Sequence, residues 1–251
     1  MAASKVIKSI NFNQHEILND IIRLHNGGQP FDCDLTYSKG NFYGEHKLND
    51  ESIIDIPQPL HKFDVNPQCD DVVQIDPNGK VPLDDESINS VCIDLPFLLG
   101  IGPSLKTEQE SNNVMQRRFA YYPSLEDLFE SYKHWIDEAY RILKKDGICV
   151  FKCQNVITGG KFLDTPFYSK FIAESVGFEV VDEFLLLAKQ RLISGKIKKQ
   201  QHARSFHSYF IVFKKSQKHK ISFFGWMEDD DLKSMLEGVK NHNNKKRRRR
   251  K

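Results

Sequence analysis

Apolar residues recur along the chain at a helical spacing in three segments. Residues 14–25 (QHEILNDIIRLH) place their apolar side chains on one face, which predicts a first helix. Residues 124–143 repeat the pattern over a longer span, and Ser124 and Asp127 are spaced as a capping box. Residues 165–177 predict a third helix.

Short apolar runs between these helices predict strands. The runs are residues 31–36, 61–65, 71–76, 87–94, 147–154, 178–188 and 207–215. Gly147 is expected to end the long helix, and Pro57 and Pro59 argue against a crossover helix before residue 61. Strands alternating with helices, followed by two late strands joined by a loop, predict an α/β fold. Its sheet is expected to be mostly parallel with an antiparallel last strand and helices on both faces.

The composition is that of a globular protein. A chain of 251 residues with 39% hydrophobic content can form one sizeable domain. Residues 1–16 contain no apolar signal region, and no run approaches the roughly 18 apolar residues of a membrane span. We therefore expect an intracellular protein, cytoplasmic or, in a nucleated cell, nuclear.

Five cysteines without a CxxC pair favour reduced core thiols over a metal site, and no metal is expected. Four of them fall in predicted strands: Cys33, Cys92, Cys149 and Cys153.

Positive charge is concentrated near the end of the chain. The net charge is +2, but the final KKRRRRK alone carries seven positive charges. Residues 189–220 contain ten Lys or Arg and no acid, with aromatic residues interleaved. These aromatic residues are Phe206, Tyr209, Phe210 and Phe213. The segment predicts phosphate contacts that give sequence-independent, salt-sensitive affinity for nucleic acid, although a solvated basic loop is the alternative. The candidate contacts are Lys196, Lys198, Lys199 and Arg204.

Asp94-Leu95-Pro96-Phe97 lies where an apolar run ends and a loop begins, which is where α/β folds place their chemistry. The tetrad suits methylation of an amino group on a base, whose lone pair is delocalised into the ring. The Asp94 carboxylate and the Leu95 carbonyl could accept hydrogen bonds from that amine and draw it towards tetrahedral geometry, while Phe97 stacks on the base. A capped turn at the end of a strand is the structural alternative.

The sequence YRILKKDGICVFKCQ at 140–154 follows this tetrad. Together they make residues 12–215 resemble S-adenosylmethionine-dependent class I methyltransferases, and among them the DNA methylases that modify adenine N6 or cytosine N4. The resemblance implies a Rossmann-like methyltransferase sheet in a domain spanning 1–225. Residues 226–251 would then form a C-terminal helix or linker and a disordered basic tail. The family usually has two prolines in the tetrad, and Leu95 replaces the first, which keeps a carbonyl but loosens the backbone.

The resemblance also implies a site for S-adenosyl-L-methionine. Residues 31–43 (FDCDLTYSKGNFY) resemble the family's first motif, beside the methionine part of the cofactor. Asp64 corresponds to the acid that holds the ribose hydroxyls, and Asp76 to the position facing the adenine edge. Within the first motif, the candidate contacts are Asp34, Thr36, Tyr37 and Gly40.

The implied function is methylation of an exocyclic amino group of a DNA base, with adenine N6 favoured over cytosine. The target nucleotide would leave its stack, and catalysis would depend on positioning and electrostatics because a sulfonium is already a good leaving group. Alternatives are an RNA or protein methyltransferase of the same fold, or a catalytically silent nucleic-acid-binding module.

Overall fold

The computed structural model describes residues 6–48, 50–97, 99, 122–158, 160–189, 200 and 202–216. Its helices are α1 (Gln14–His25), α2 (Leu125–Ile142) and α3 (Thr165–Val176). Its strands are β1 (Ile10–Asn11), β2 (Cys33–Asp34), β3 (Gly44–Lys47), β4 (Ile53–Ile56), β5 (His61–Asp64), β6 (Val73–Gln74), β7 (Ile88–Asp94), β8 (Leu143–Cys153), β9 (Val156–Thr158), β10 (Lys161–Leu163), β11 (Phe178–Leu187) and β12 (His207–Lys215).

Eight strands form the central sheet, in the order β1-β11-β12-β8-β7-β2-β5-β6. Among these described strands, β12 alone runs antiparallel to its neighbours, β11 and β8. The remaining order, β6-β5-β2-β7-β8, is doubly wound and reverses between β2 and β7. The predicted Rossmann-like sheet, mostly parallel with an antiparallel last strand, is confirmed.

Helices cover both faces of this sheet, as predicted. Successive side chains of a strand point to opposite faces, so the central strands contribute to two cores. One core joins β7 and β8 to α2 and α3 through residues that include Val91, Ile93, Phe151, Tyr132 and Ile172. The other joins the opposite face to α1 through residues that include Cys92, Val150, Phe210, Ile17 and Ile21. No helix in the described part of the chain is long and apolar enough to cross a membrane.

The long helix α2 begins as predicted but ends earlier. The Asp127 N–H donates to the Ser124 hydroxyl, and the Ser124 N–H donates back to the Asp127 carboxylate at 2.9 Å, which completes the capping box. The expectation that Gly147 ends the helix is wrong, since Leu143 already pairs with Ile88 of β7. Gly147 lies within β8, where a Cβ would come within 2.9 Å of the Asn89 carbonyl oxygen. Strand pairing therefore decides this boundary.

A hairpin takes the place of the crossover helix between β2 and β5. Strands β3 and β4 pair antiparallel, from Gly44 opposite Ile56 to Lys47 opposite Ile53. Ile56 is fully buried in the core that contains α1. The hairpin therefore covers the sheet on the α1 face, where a crossover helix is the usual solution.

The four cysteines predicted to lie in strands are buried free thiols, as expected. Burial raises the pKa of the Cys149 and Cys153 thiols well above their ordinary value, so both are neutral packing residues.

Two glycines at helix ends provide a matched test of this packing. Gly177 follows α3 with φ +110°, and a Cβ there would lie 2.6 Å from the Tyr140 hydroxyl oxygen. Gly28 follows α1 with φ +75°, and a Cβ there would meet nothing within 4 Å. Gly28→Ala should lower the free energy of unfolding by about 1 kcal/mol, the cost of left-handed backbone. Gly177→Ala should lower it by roughly 2 to 4 kcal/mol, because Tyr140 must also move. Urea unfolding measures both, and equal losses would contradict the predicted clash.

Candidate functional site

The candidate site lies where β2 and β7 end side by side, at the reversal of strand order. Asp34 of β2 is paired with Cys92 of β7, and Asp94 at the end of β7 is paired with Lys152 of β8. Ligands of open α/β sheets bind outside the carboxyl ends of the strands at such a reversal. The fold therefore brings the first motif and the candidate catalytic tetrad to one place.

A chain of hydrogen bonds joins these two segments. The Asp94 N–H donates to the Thr36 hydroxyl oxygen at 2.7 Å. The Thr36 hydroxyl and N–H donate to Oδ1 of Asp34 at 3.2 and 2.8 Å. The start of the tetrad is thereby fixed relative to the first motif.

Asp34 is an acid held inside the protein. Its side chain is buried, and the Tyr43 hydroxyl donates to Oδ2 at 2.6 Å. Burial raises the pKa of the Asp34 carboxyl to about 7, although the hydrogen bonds from Tyr43 and Thr36 oppose this rise. The nearby charge of Asp94 adds to the increase. Near neutral pH this carboxyl therefore exists in both protonation states.

Gly40 makes the turn that follows β2. Its φ of +69° is in the left-handed region, and its N–H donates to the Tyr37 carbonyl at 2.8 Å. A Cβ at this position would lie 2.4 Å from the Tyr37 hydroxyl oxygen. Tyr37 itself is buried, stacks on Tyr43 and donates to Gln58, so it shapes the turn from within the core.

Asp64, the last residue of β5, forms hydrogen bonds that connect the turn after β2 to this neighbouring strand. Its Oδ2 accepts from the Ser38 N–H and its Oδ1 from the Asn66 N–H, both at 2.7 Å. A carboxylate oxygen can accept two hydrogen bonds, so each oxygen keeps capacity for a ligand hydroxyl.

Asp76 lies two residues beyond the end of β6, the strand that pairs with β5 in the sheet. Its Oδ1 accepts from the Asn78 N–H at 2.8 Å and its carbonyl from the Gly79 N–H at 3.0 Å, which forms a tight turn. Asp76 is exposed. The three candidate cofactor acids thus lie at or just beyond the carboxyl ends of three adjacent strands.

Leu95 is a packing residue within the tetrad. It is 5% exposed and belongs to the core that contains α2. Asp94, Pro96 and Phe97 are half-buried at the edge of the sheet. Leu95 therefore anchors the tetrad through its side chain.

Lys152 is a further residue at this candidate site that was not predicted from the sequence. Its Nζ lies 2.8 Å from Oδ2 of Asp94, and 5.0 and 5.5 Å from the ring centroids of Phe42 and Phe210. A lysine near the end of the apolar run of β8 is unusual and could have drawn attention to this position. Its pairing with Asp94, however, depends on the register between β7 and β8, which the sequence does not show.

The basic segment is described only in part, and Lys196, Lys198 and Lys199 lie outside the described residues. Arg204 is half-buried just before β12, where Phe206 is 39% exposed. Phe210 and Phe213, which are interleaved with the basic residues of this segment, are fully buried in β12. Helices cover both faces of the sheet, so β12 is buried on both sides.

No family model and no curated protein matches the chain. The chain is similar in structure to a proposed sarcosine dimethylglycine methyltransferase from Galdieria sulphuraria (12% identity, 81% of this chain and 86% of that one, TM-score 0.45). It is also similar to an S-adenosylmethionine-dependent methyltransferase from Archaeoglobus fulgidus (17% identity, 80% and 94%, TM-score 0.40).

A third similar structure is a proposed DNA modification methylase from Thermus thermophilus in complex with S-adenosyl-L-methionine (12% identity, 56% and 50%, TM-score 0.34). The chain spans half the length of that protein. Similarity at this level does not indicate a function. The fold is defined by the strand order of the chain itself.

The raised pKa of Asp34 predicts how stability depends on pH. Between about pH 4 and 7 the unfolded chain releases this proton while the folded protein keeps it, so stability falls as pH rises. A shift from 3.8 to about 7 limits the loss to roughly 4 kcal/mol at 1.36 kcal/mol per unit. Asp34→Asn should remove this component. Urea unfolding of both proteins from pH 4.5 to 8 measures the difference, and parallel pH profiles would contradict the prediction.

Proposed function

We propose that this protein is an S-adenosylmethionine-dependent methyltransferase that modifies an exocyclic amino group of a DNA base, with adenine N6 favoured. The observation that carries the proposal is the hydrogen-bond chain from Asp34 through Thr36 to Asp94 at the reversal of strand order. It couples a candidate cofactor motif to a candidate amine-binding tetrad.

The described residues fit the chemistry of S-adenosyl-L-methionine. Asp64 has acceptor capacity for two neighbouring hydroxyls, as a ribose presents. Asp76 is exposed beyond the adjacent strand, where an adenine edge would follow the ribose, and the turn at Gly40 would lie beside the methionine part. When bound, the cofactor supplies a methyl group activated on a sulfonium.

The tetrad would bind and orient the amine. The two N–H groups of the amine would donate hydrogen bonds to the Asp94 carboxylate and the Leu95 carbonyl, and the nitrogen lone pair would then turn out of the plane of the base. Phe97 stacks on the base, and the Thr36 hydroxyl keeps Asp94 in place. These contacts contribute through orientation and through stabilisation of positive charge developing on the nitrogen.

The basic segment would hold the nucleic acid. Lys196, Lys198, Lys199 and Arg204 provide charge for phosphate contacts, and the exposed Phe206 provides a ring for stacking against a base. Phosphate contacts fix the position of the nucleic acid, and the pocket beside the tetrad selects the base.

The cofactor site can be tested with Asp64. Asp64→Ala should weaken the calorimetric affinity for S-adenosyl-L-methionine by about tenfold or more, the scale of losing charge-assisted hydrogen bonds. The exposed Asp70 lies outside the proposed site, and Asp70→Ala should bind as wild type does. Wild-type affinity in the Asp64 variant would exclude Asp64 from the cofactor site.

The tetrad can be tested with Asp94. Asp94→Ala should lower turnover by at least about 100-fold while cofactor affinity stays near wild type, because its hydrogen bond strengthens in the transition state. Asp94→Asn keeps an acceptor and should retain more activity. The measurement is transfer of a tritiated methyl group to DNA, RNA and protein pools, followed by nucleoside analysis.

Each outcome of this assay has a definite meaning. Wild-type turnover in Asp94→Ala would contradict the assigned role. Label found only in RNA or only in protein would identify that polymer, and not DNA, as the substrate. Cofactor binding without any methyl transfer would indicate a catalytically silent module.

A further inference from the structure

Lys152 lies between the catalytic tetrad and an aromatic cluster. In the register of the sheet it stands beside Asp94 of β7 on one side and Phe210 of β12 on the other. Directly paired residues point to the same face, so the three side chains meet above the sheet. Phe42, from the segment between β2 and β3, adds a second ring at a centroid distance of 5.9 Å from Phe210.

The position of the Lys152 ammonium group is constrained from three directions. It contacts Oδ2 of Asp94 at 2.8 Å and lies within cation–π distance of both rings. The Lys152 side chain is 18% exposed and that of Asp94 is 30% exposed. An ion pair near the surface contributes little stability, so its main effect here is to fix the direction of the carboxylate.

The two oxygens of Asp94 are not equivalent. Lys152 occupies Oδ2, whereas Oδ1 has no hydrogen-bond partner among the described residues. Two further contacts restrain the same segment, namely the bond from the Asp94 N–H to Thr36 and the burial of the Leu95 side chain. The tetrad is therefore restrained at the Asp94 carboxylate, at the Asp94 backbone N–H and at the buried Leu95 side chain.

We propose that Lys152 is a positioning residue that presents Oδ1 of Asp94 to the target amine. This inference rests on the proposed function. Together with Thr36 and buried Leu95, the lysine provides the rigidity that a proline at position 95 would otherwise contribute. The tetrad can then orient an amine without that proline, which gives Leu95 a role compatible with activity.

Three variants test this role. Lys152→Met removes the charge but keeps a flexible apolar chain that suits a site between two rings. Lys152→Arg keeps the charge and a donor. Lys170→Met is the matched control, since Lys170 forms a comparably exposed 2.8 Å pair with Glu183 on α3 and β11, away from the tetrad. For each variant, kcat and KM are measured with DNA, and the Kd of S-adenosyl-L-methionine is measured by calorimetry.

Lys152→Met should lower kcat by about tenfold or more while KM and Kd stay within about twofold, because orientation matters chiefly in the transition state. Lys152→Arg should recover part of kcat, and Lys170→Met should match wild type. Wild-type kcat in Lys152→Met would overturn the proposal. An equal weakening of cofactor affinity in Lys152→Met would also overturn it. The same holds if Lys152→Arg loses as much kcat as Lys152→Met does.

The two proposals fail differently. Wild-type protein that transfers no methyl group would overturn the proposed function, and this inference with it. Active wild-type protein with an equally active Lys152→Met variant would overturn the role of Lys152 alone.

Discussion

The pairing of β2 with β7 is the constraint on which the candidate site depends. Strand β2 has only two residues, yet Cys33 and Asp34 pair with β7, and the Leu35 N–H continues the contact to the Cys92 carbonyl at 3.1 Å. Because the strand order reverses here, the elements that follow β2 and β7 pack on opposite faces of the sheet. Thr36 lies where the two segments separate and accepts the hydrogen bond from Asp94, so one short pairing aligns both halves of the site.

The electrostatics of this site follow from how its charges are buried. Lys152 pairs with Asp94, and the nearby charge of Asp94 adds to the raised pKa of the buried Asp34 carboxyl. Ionisation of Asp34 therefore adds one negative charge to this small region. A cationic ligand at the same edge of the sheet would favour the ionised form, since an opposite charge lowers the pKa of a carboxyl group. The buried acid thus makes the local charge responsive to what the site binds.

The segment that leads into the β3–β4 hairpin connects the fold to this chemistry. It carries Gly40 at its turn, Phe42 against Lys152 and Tyr43 against Asp34. The hairpin itself packs on the α1 face, where it replaces a crossover helix. One departure from the usual crossover therefore supplies an aromatic ring and a hydroxyl to the two most strongly constrained groups of the site.

The sequence by itself determined the helices, the positions of the main strands along the chain and the position of the tetrad at the end of a strand, because periodicity and caps are local properties. It also placed the three candidate cofactor acids at strand ends. Only the tertiary structure decided that β8 begins at Leu143, that a hairpin replaces the crossover helix after β2, and that Lys152 pairs with Asp94. Each of these depends on which residue of another strand lies alongside, and the pattern within one segment does not specify that register.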